Sequence, residues 1–236
     1  PITCPSDFAF EIETANAVFV SGNHNAFGPR IPINSTWNIP FLTSALQFHP
    51  QHDRLVTFLT YGWPIGRNPL APAPTVTLSN HGGADQHPDT LDKYIEKELS
   101  AGHIIGPFTE NPFYGPMGVS PMSTRPKRNT TERRVICNMS WPLDGSSVNR
   151  YISNDYYLGL PVIFMLPVVD NLALRIFQLG VMCLLFKKDL WKAFRQVWVC
   201  PGDWRFLGIF WRGFIYFNTR LPMGMTSSSF IMQTLS

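Results

Sequence analysis

Apolar side chains recur at helical spacing in three stretches of the chain. In HDRLVTFLTYG, Leu55, Phe58 and Leu59 share a face and Gly62 closes the helix. In HPDTLDKYIEKELSAG, Asp89 caps a helix, Leu91, Tyr94, Ile95 and Leu99 form one stripe, and Gly102 ends it. In LPVVDNLALRIFQLG, Val169, Leu172, Ile176 and Leu179 line one face. Other stretches predict strands. MGVSPM and RRVICNM read as two short strands around a basic hairpin tip, and VMCLLFK reads as a buried strand. FLGIFWRGFIYFN reads as two apolar strands turning at Arg212 and Gly213. LWKAFRQV suits one or two helical turns, SSVNRYI a turn, and LPMGMTSSSFIMQTLS a loop that opens a helix at its Thr/Ser cluster. Strands and helices without regular βαβ alternation argue for an α+β fold.

Upstream, residues 1–80 are rich in Pro, Asn and Gly. Apart from the helix ending at Gly62 they predict an irregular segment, with RNPLAPAPTV extended around its prolines. Residues 81–236 carry the regular pattern. The chain begins at Pro1 and stops at Ser236 inside a predicted helix, which reads as an internal fragment of something longer.

Composition narrows the class. A chain of 236 residues can bury a real core, and 44% hydrophobic against 15% charged residues describes a globular protein. Its net charge of +3 says little, but its distribution says more. RPKRNTTERR holds five cations against Glu132, and Lys187 to Arg205 hold five more against Asp189 and Asp203. Cations interleaved with aromatics suit a phosphate backbone and stacked bases. Either run alone also reads as a solvated basic face. Cys4, Cys137, Cys183 and Cys200 show no metal-ligand spacing; Cys137 and Cys183 read as buried thiols, which fits a reducing, intracellular compartment (nucleus or cytoplasm). No signal peptide is visible, and Asp170, Asn171 and Arg175 interrupt the most apolar region, so no membrane partner is expected.

The candidate chemistry centres on Asp189, a lone carboxylate where an apolar run ends. A helix N-cap is the plain alternative. Phe194 follows five residues later, Arg134 opens RVICNM upstream, and LPMGM follows the aromatic hairpin downstream, where Gly224 allows close backbone approach to a flat ligand.

An acid, an aromatic five residues on, a basic hairpin upstream and an LPxG loop downstream, in that order, resemble a reverse transcriptase. The resemblance is closest to retrotransposon polymerases of the DIRS type, which travel with a tyrosine recombinase. It runs from about Asp89 to Ser236. KELSAGHIIGPF resembles the helix leading into the fingers, RRVICNMSWPLDGSSVN a fingers strand, and KKDLWKAFRQVWVCPGDWRFLGIFWRGFIYFNTRLPMGM the palm core. LTYGWPIG faintly resembles the segment preceding the polymerase. The implied fold is a right-hand polymerase, fingers and the first part of the palm.

The resemblance implies roles position by position. Asp189 would be the first metal-binding acid, with the Leu190 carbonyl as a further ligand, and two Mg²⁺ ions would bridge it to a deoxynucleoside triphosphate. Phe194 would be the aromatic gate under the sugar; ordinary core packing is its alternative. Arg134 would stack on the base and grip phosphates, and Lys127, or Arg128 in its place, would contact the triphosphate. Met223 and Gly224 would form the loop touching nucleotide and template, and Lys187 would be the basic residue before the acid. An RNA/DNA template-primer would be the macromolecular partner, with downstream polymerase, RNase H and recombinase regions in a parent polyprotein.

Two departures stand out. Ser229 replaces a proline the family usually has, and the family's adjacent Asp pair is absent, since no two Asp residues are neighbours in this chain. One acid organises two divalent ions poorly, so the chain as given is expected not to polymerise. An RNA-directed RNA polymerase shares the palm logic, but Phe194 argues against it. A non-enzymatic or domesticated nucleic-acid-binding remnant of a mobile element keeps the basic hairpin and is the alternative from another class. Chance matches in a plain globular domain would have to fall in order by accident.

Overall fold

A computed structural model describes residues 8–22, 30–33, 37–164, 168–187 and 189–235. Cys4, Leu166, Pro167, Lys188 and Ser236 lie outside the described residues. The fold is mixed α+β.

Within residues 1–80 the predicted helix α3 (His52–Tyr61) forms, and two further helices, α1 (Ala9–Ser21) and α2 (Ile39–Ala45), occupy stretches that predict only irregular structure. Helix α1 has no clean apolar stripe. Ile12 and Ala15 reach the larger core, and tertiary bonds add to them, with the Asn16 amide donating to the Pro112 carbonyl and accepting from the Tyr114 N–H. Asn38 caps α2 by accepting from the Phe41 N–H. In α3, Leu55, Phe58 and Leu59 are the buried face. Gly62 follows at φ +83°, and a Cβ there would sit 2.6 Å from the Cys200 nitrogen, so only glycine fits.

After the short α4 (Gly82–Asp85), α5 spans Pro88–Ser100. Its N-cap is His87 and Pro88 opens the first turn, so Asp89 sits inside that turn instead of capping it. Leu91, Ile95 and Leu99 are buried as the spacing predicts, and Glu98 is buried with them.

The central sheet is antiparallel, in the order β1 (Ile104–Phe108), β7 (Phe214–Asn218), β6 (Gly208–Trp211). Arg212 and Gly213 make the β6–β7 turn, both at positive φ, matching a tight hairpin. Alternation divides the sheet between two cores. Ile104, Ile209, Trp211 and Tyr216 face α5, with Leu91, Ile95 and Leu99. Ile105, Ile215 and Phe217 face the larger core, where Trp204, Leu207, Val199, Ile65 and Tyr157 pack with residues of α1 and α3. The buried Tyr157 hydroxyl donates to the Pro64 carbonyl at 2.6 Å.

A separate hairpin pairs β2 (Met122–Pro126) with β3 (Arg133–Cys137). Strand β3 lies within the predicted RRVICNM. Its partner begins where MGVSPM ends, because Val119 is already engaged in bridges to Val76 and Gly208. Further on come the two-residue strands β4 (Tyr156–Tyr157) and β5 (Leu160–Pro161), helix α6 (Val169–Leu179), and helix α7 (Ser228–Leu235), which starts in the Ser cluster.

VMCLLFK corrects the sequence reading. It forms no strand, and Val181, Leu184 and Phe186 are more than 90% exposed. The run is as apolar as a core strand, but no neighbouring strand pairs with it among the described residues. Cys183 in this run is half-buried, not a core thiol. Cys137 is half-buried too, with burial pushing its thiol up to about 12. LWKAFRQV contracts to one 3-10 turn, Ala193–Gln196. Among the described residues, no helix is long and apolar enough to cross a membrane.

Candidate functional site

The β2–β3 hairpin sorts its own cations. Lys127 forms an ion pair with Glu132 at 2.6 Å, and their backbones also join, Lys127 N–H to Glu132 carbonyl, which closes the tip. Arg133 donates from Nε to the Thr124 hydroxyl. Two of the five cations thus tie the hairpin to itself. Arg125 and Arg134 stand directly opposite one another in register, both exposed. Neither takes part in an ion pair among the described residues. Like charges at directly opposed positions destabilise a strand pair. Arg128 is exposed near the tip.

The LPMGM loop lies against the base of this hairpin. Gly224 adopts φ +99°, and a Cβ on it would stand 3.4 Å from the Cys137 carbonyl at the end of β3. Asn149 fixes the loop: its amide nitrogen donates to the Gly224 carbonyl at 2.8 Å and to the Ser140 hydroxyl, and its oxygen accepts from the Thr226 N–H. Leu221 and Met225 anchor the loop in the larger core, leaving Met223 68% exposed. Residues 133–137 and 221–225, far apart in sequence, are therefore neighbours. Asn149 lies inside a stretch that reads only as a turn, so its role as a clasp had no local signal.

Asp189 is an exposed carboxylate on irregular backbone, neither following a strand nor capping an α-helix. Lys187 and Leu190 are exposed beside it, Leu190 by 52%. Phe194, in the 3-10 turn, is half-buried and packs on the larger core. What positions this segment is a buried polar network. Glu98 of α5, 4% exposed, accepts from Arg195 Nε at 3.0 Å, from Lys192 Nζ at 3.3 Å and from His103 Nδ1 at 3.0 Å. Arg195 also donates to the Tyr94 hydroxyl at 2.6 Å and to the Asn218 side-chain oxygen at 2.7 Å. The network ties the residues after Asp189 to α5 and β7 together. Burial alone would raise the Glu98 carboxyl; the hydrogen bond from His103 and the charges of Arg195, His103 and Lys192 outweigh it and hold the group at about 2. A signal for this network existed in the sequence: Glu98 falls on the apolar stripe of α5, seven residues after Leu91.

Among the described residues, no three His, Cys, Asp or Glu side chains cluster closely enough to hold a metal ion. Asp189 with the Leu190 carbonyl does not by itself make a site for two Mg²⁺ ions. Carboxylates from elsewhere would have to complete one.

No protein-family model matches the chain, and no curated protein matches it. Solved structures similar to it include the foamy viral protease-reverse transcriptase in complex with double-stranded DNA (16% identity, TM-score 0.46, covering 87% of this chain and 36% of that one). The native Prototype Foamy Virus protease-reverse transcriptase (15%, 0.45, covering 86% and 27%) and the foamy viral enzyme with an RNA/DNA hybrid (15%, 0.44, covering 87% and 28%) are similar to a comparable extent. The chain thus spans about a third or less of the length of these proteins.

Proposed function

We propose that the chain is a fingers and partial-palm piece of an RNA-directed DNA polymerase of a retrotransposon, and that it binds template-primer along the β2–β3 hairpin. The observation that carries this reading is the Arg125–Arg134 pair, two guanidinium groups held opposite each other at a cost in strand stability. A phosphate between them turns that repulsion into two charge-assisted contacts. The adjoining Gly224 loop supports the reading, because it sets a backbone surface with an exposed Met223 beside the same hairpin.

In this reading Arg134 and either Lys127 or Arg128 meet the incoming deoxynucleotide, and Lys127 must first release Glu132. Phe194 acts as the sugar gate through its exposed part. Mg²⁺ belongs to Asp189 and the Leu190 carbonyl only with further carboxylates in place. When bound it would supply charge neutralisation at the triphosphate; the chain's own residues contribute orientation of phosphate and base. Expression inside a reducing, intracellular compartment goes with this role.

Fluorescence anisotropy with a labelled template-primer duplex tests the reading. Arg125→Ala with Arg134→Ala is expected to weaken binding and to reduce the log–log salt slope by about 0.9 for each phosphate that the arginines no longer neutralise. Equal affinity and slope in the double variant would remove the nucleic-acid reading. In a longer gene product carrying this chain, Asp189→Ala is expected to abolish Mg²⁺-dependent primer extension. Surviving extension would reject the metal assignment, and duplex binding without any extension in the parent would favour the non-enzymatic remnant.

A further inference from the structure

A second basic feature lies away from the hairpin. A cleft of about 430 Å³ is lined by Trp37, His103, Trp191, Arg195 and Arg220. Arg220 is only 9% exposed, yet no ion pair among the described residues includes it. Its guanidinium stacks on the Trp198 ring and reaches the Thr219 hydroxyl over a long 3.4 Å. Burying an unmatched cation is costly. The burial, with the like charge of Arg195, lowers the Arg220 guanidinium to about 9, which still leaves it charged at neutral pH. The nearby carboxylate Glu98 is already shared by Lys192 and Arg195. One anion therefore answers two cations before Arg220 is counted.

The rest of the lining says what kind of anion fits. Trp191 is 74% exposed, and Trp37, donating from its indole to the Gln196 carbonyl, flanks the same cleft. Indole rings beside a guanidinium offer a stacking surface next to a fork that matches phosphate oxygens. The volume is in the range of small-molecule sites. A bare carboxylate would engage the arginine and leave the indoles unused.

We propose that this cleft is a nucleotide-binding subsite, in which Arg220 holds a phosphate and Trp191 stacks on the attached base. Its ligand class rests on the nucleic-acid reading above, but its location and residues do not involve the hairpin. The subsite suits a single-stranded segment lying outside the duplex held at Arg125 and Arg134.

Isothermal titration with dTMP tests it. The wild-type chain is expected to bind, Arg220→Met to bind about tenfold more weakly, and Trp191→Ala about fivefold more weakly. Trp191→Ala alters an exposed ring, so it carries the test even where Arg220→Met unfolds the chain; circular dichroism checks both. Inorganic phosphate is expected to compete less well than dTMP. The proposal is overturned if wild type does not bind dTMP, if both folded variants bind it as wild type does, if phosphate competes equally well, or if a hexaglutamate peptide binds more tightly. Unchanged duplex binding in the Arg125→Ala, Arg134→Ala variant, with dTMP binding still weakened only in the cleft variants, would reject the hairpin reading and leave the subsite standing.

Discussion

Helices α5 and α6 carry the same kind of pattern and meet opposite fates. Each has an apolar stripe at helical spacing. In α5 the stripe is covered: Leu91 is fully buried, and Ile95 and Leu99 are 5% exposed against β1, β6 and β7. In α6 it is mostly bare, with Val169 80%, Leu172 54% and Leu179 59% exposed and only Ile176 half-buried. In residues 181–186 every apolar side chain but Cys183 is exposed too. Periodicity decides that a helix forms and which face is apolar. Only the rest of the fold decides whether anything lies against that face. The difference also explains why the segment around Asp189 is held from one side. Its neighbours Lys192 and Arg195 are gripped by α5 through Glu98, while α6 and residues 181–186 before it add no buried contact.

The largest test of this contrast removes the charge that anchors the segment to α5. Glu98→Gln leaves the half-buried Arg195 and Lys192 without a counter-ion and is expected to cost about 3 kcal/mol in urea unfolding at neutral pH. Acid should do part of the same work in the wild type. The Glu98 carboxyl sits at about 2 in the fold against 4.5 unfolded, so its contribution is complete above pH 4.5 and is lost as pH falls through 2. That contribution is about 3 kcal/mol. Glu98→Gln should lack this component of acid sensitivity. An unchanged stability–pH profile between pH 5 and 2 would mean that Glu98 is not held by its three partners.

Next in size is the apolar half of the same surface. Leu91→Ala should lose about 3 kcal/mol, since its side chain is enclosed between α5 and the sheet. A loss below about 1 kcal/mol would mean that this core closes over small cavities and is less well packed than its burial implies.

What was legible in the sequence follows the same division. Helices α3 and α5 and the Arg212–Gly213 turn were readable because their signals are local: spacing, a closing glycine, a pair of turn residues. The hairpin was readable in kind but not in register, because Val119 spends its backbone on long-range bridges that no local pattern announces. VMCLLFK was misread because hydrophobicity shows that a segment would profit from burial, not that a partner strand exists. Helix α1 depends on Asn16 meeting Pro112 and Tyr114 nearly a hundred residues away. At the candidate site, Arg134 and Gly224 were nameable from short motifs. Arg125 gains meaning only from the register that sets it opposite Arg134, and Arg220 only from a cleft assembled by four separate segments.

The smallest expected effect is the sharpest check on the comparison. Leu172→Ser on α6 should change unfolding free energy by less than about 0.5 kcal/mol, because the side chain is already more than half in water. Serine lowers helix propensity only slightly, so what little stability is lost comes from the backbone and not from a core. A different observable should respond. Contiguous exposed apolar surface binds hydrophobic dyes and promotes association, so dye fluorescence and the sedimenting mass at high concentration should both fall in Leu172→Ser. If this variant instead costs as much as Leu91→Ala, the α6 face is covered in solution, and the two helices differ in which neighbour covers them, not in whether one does.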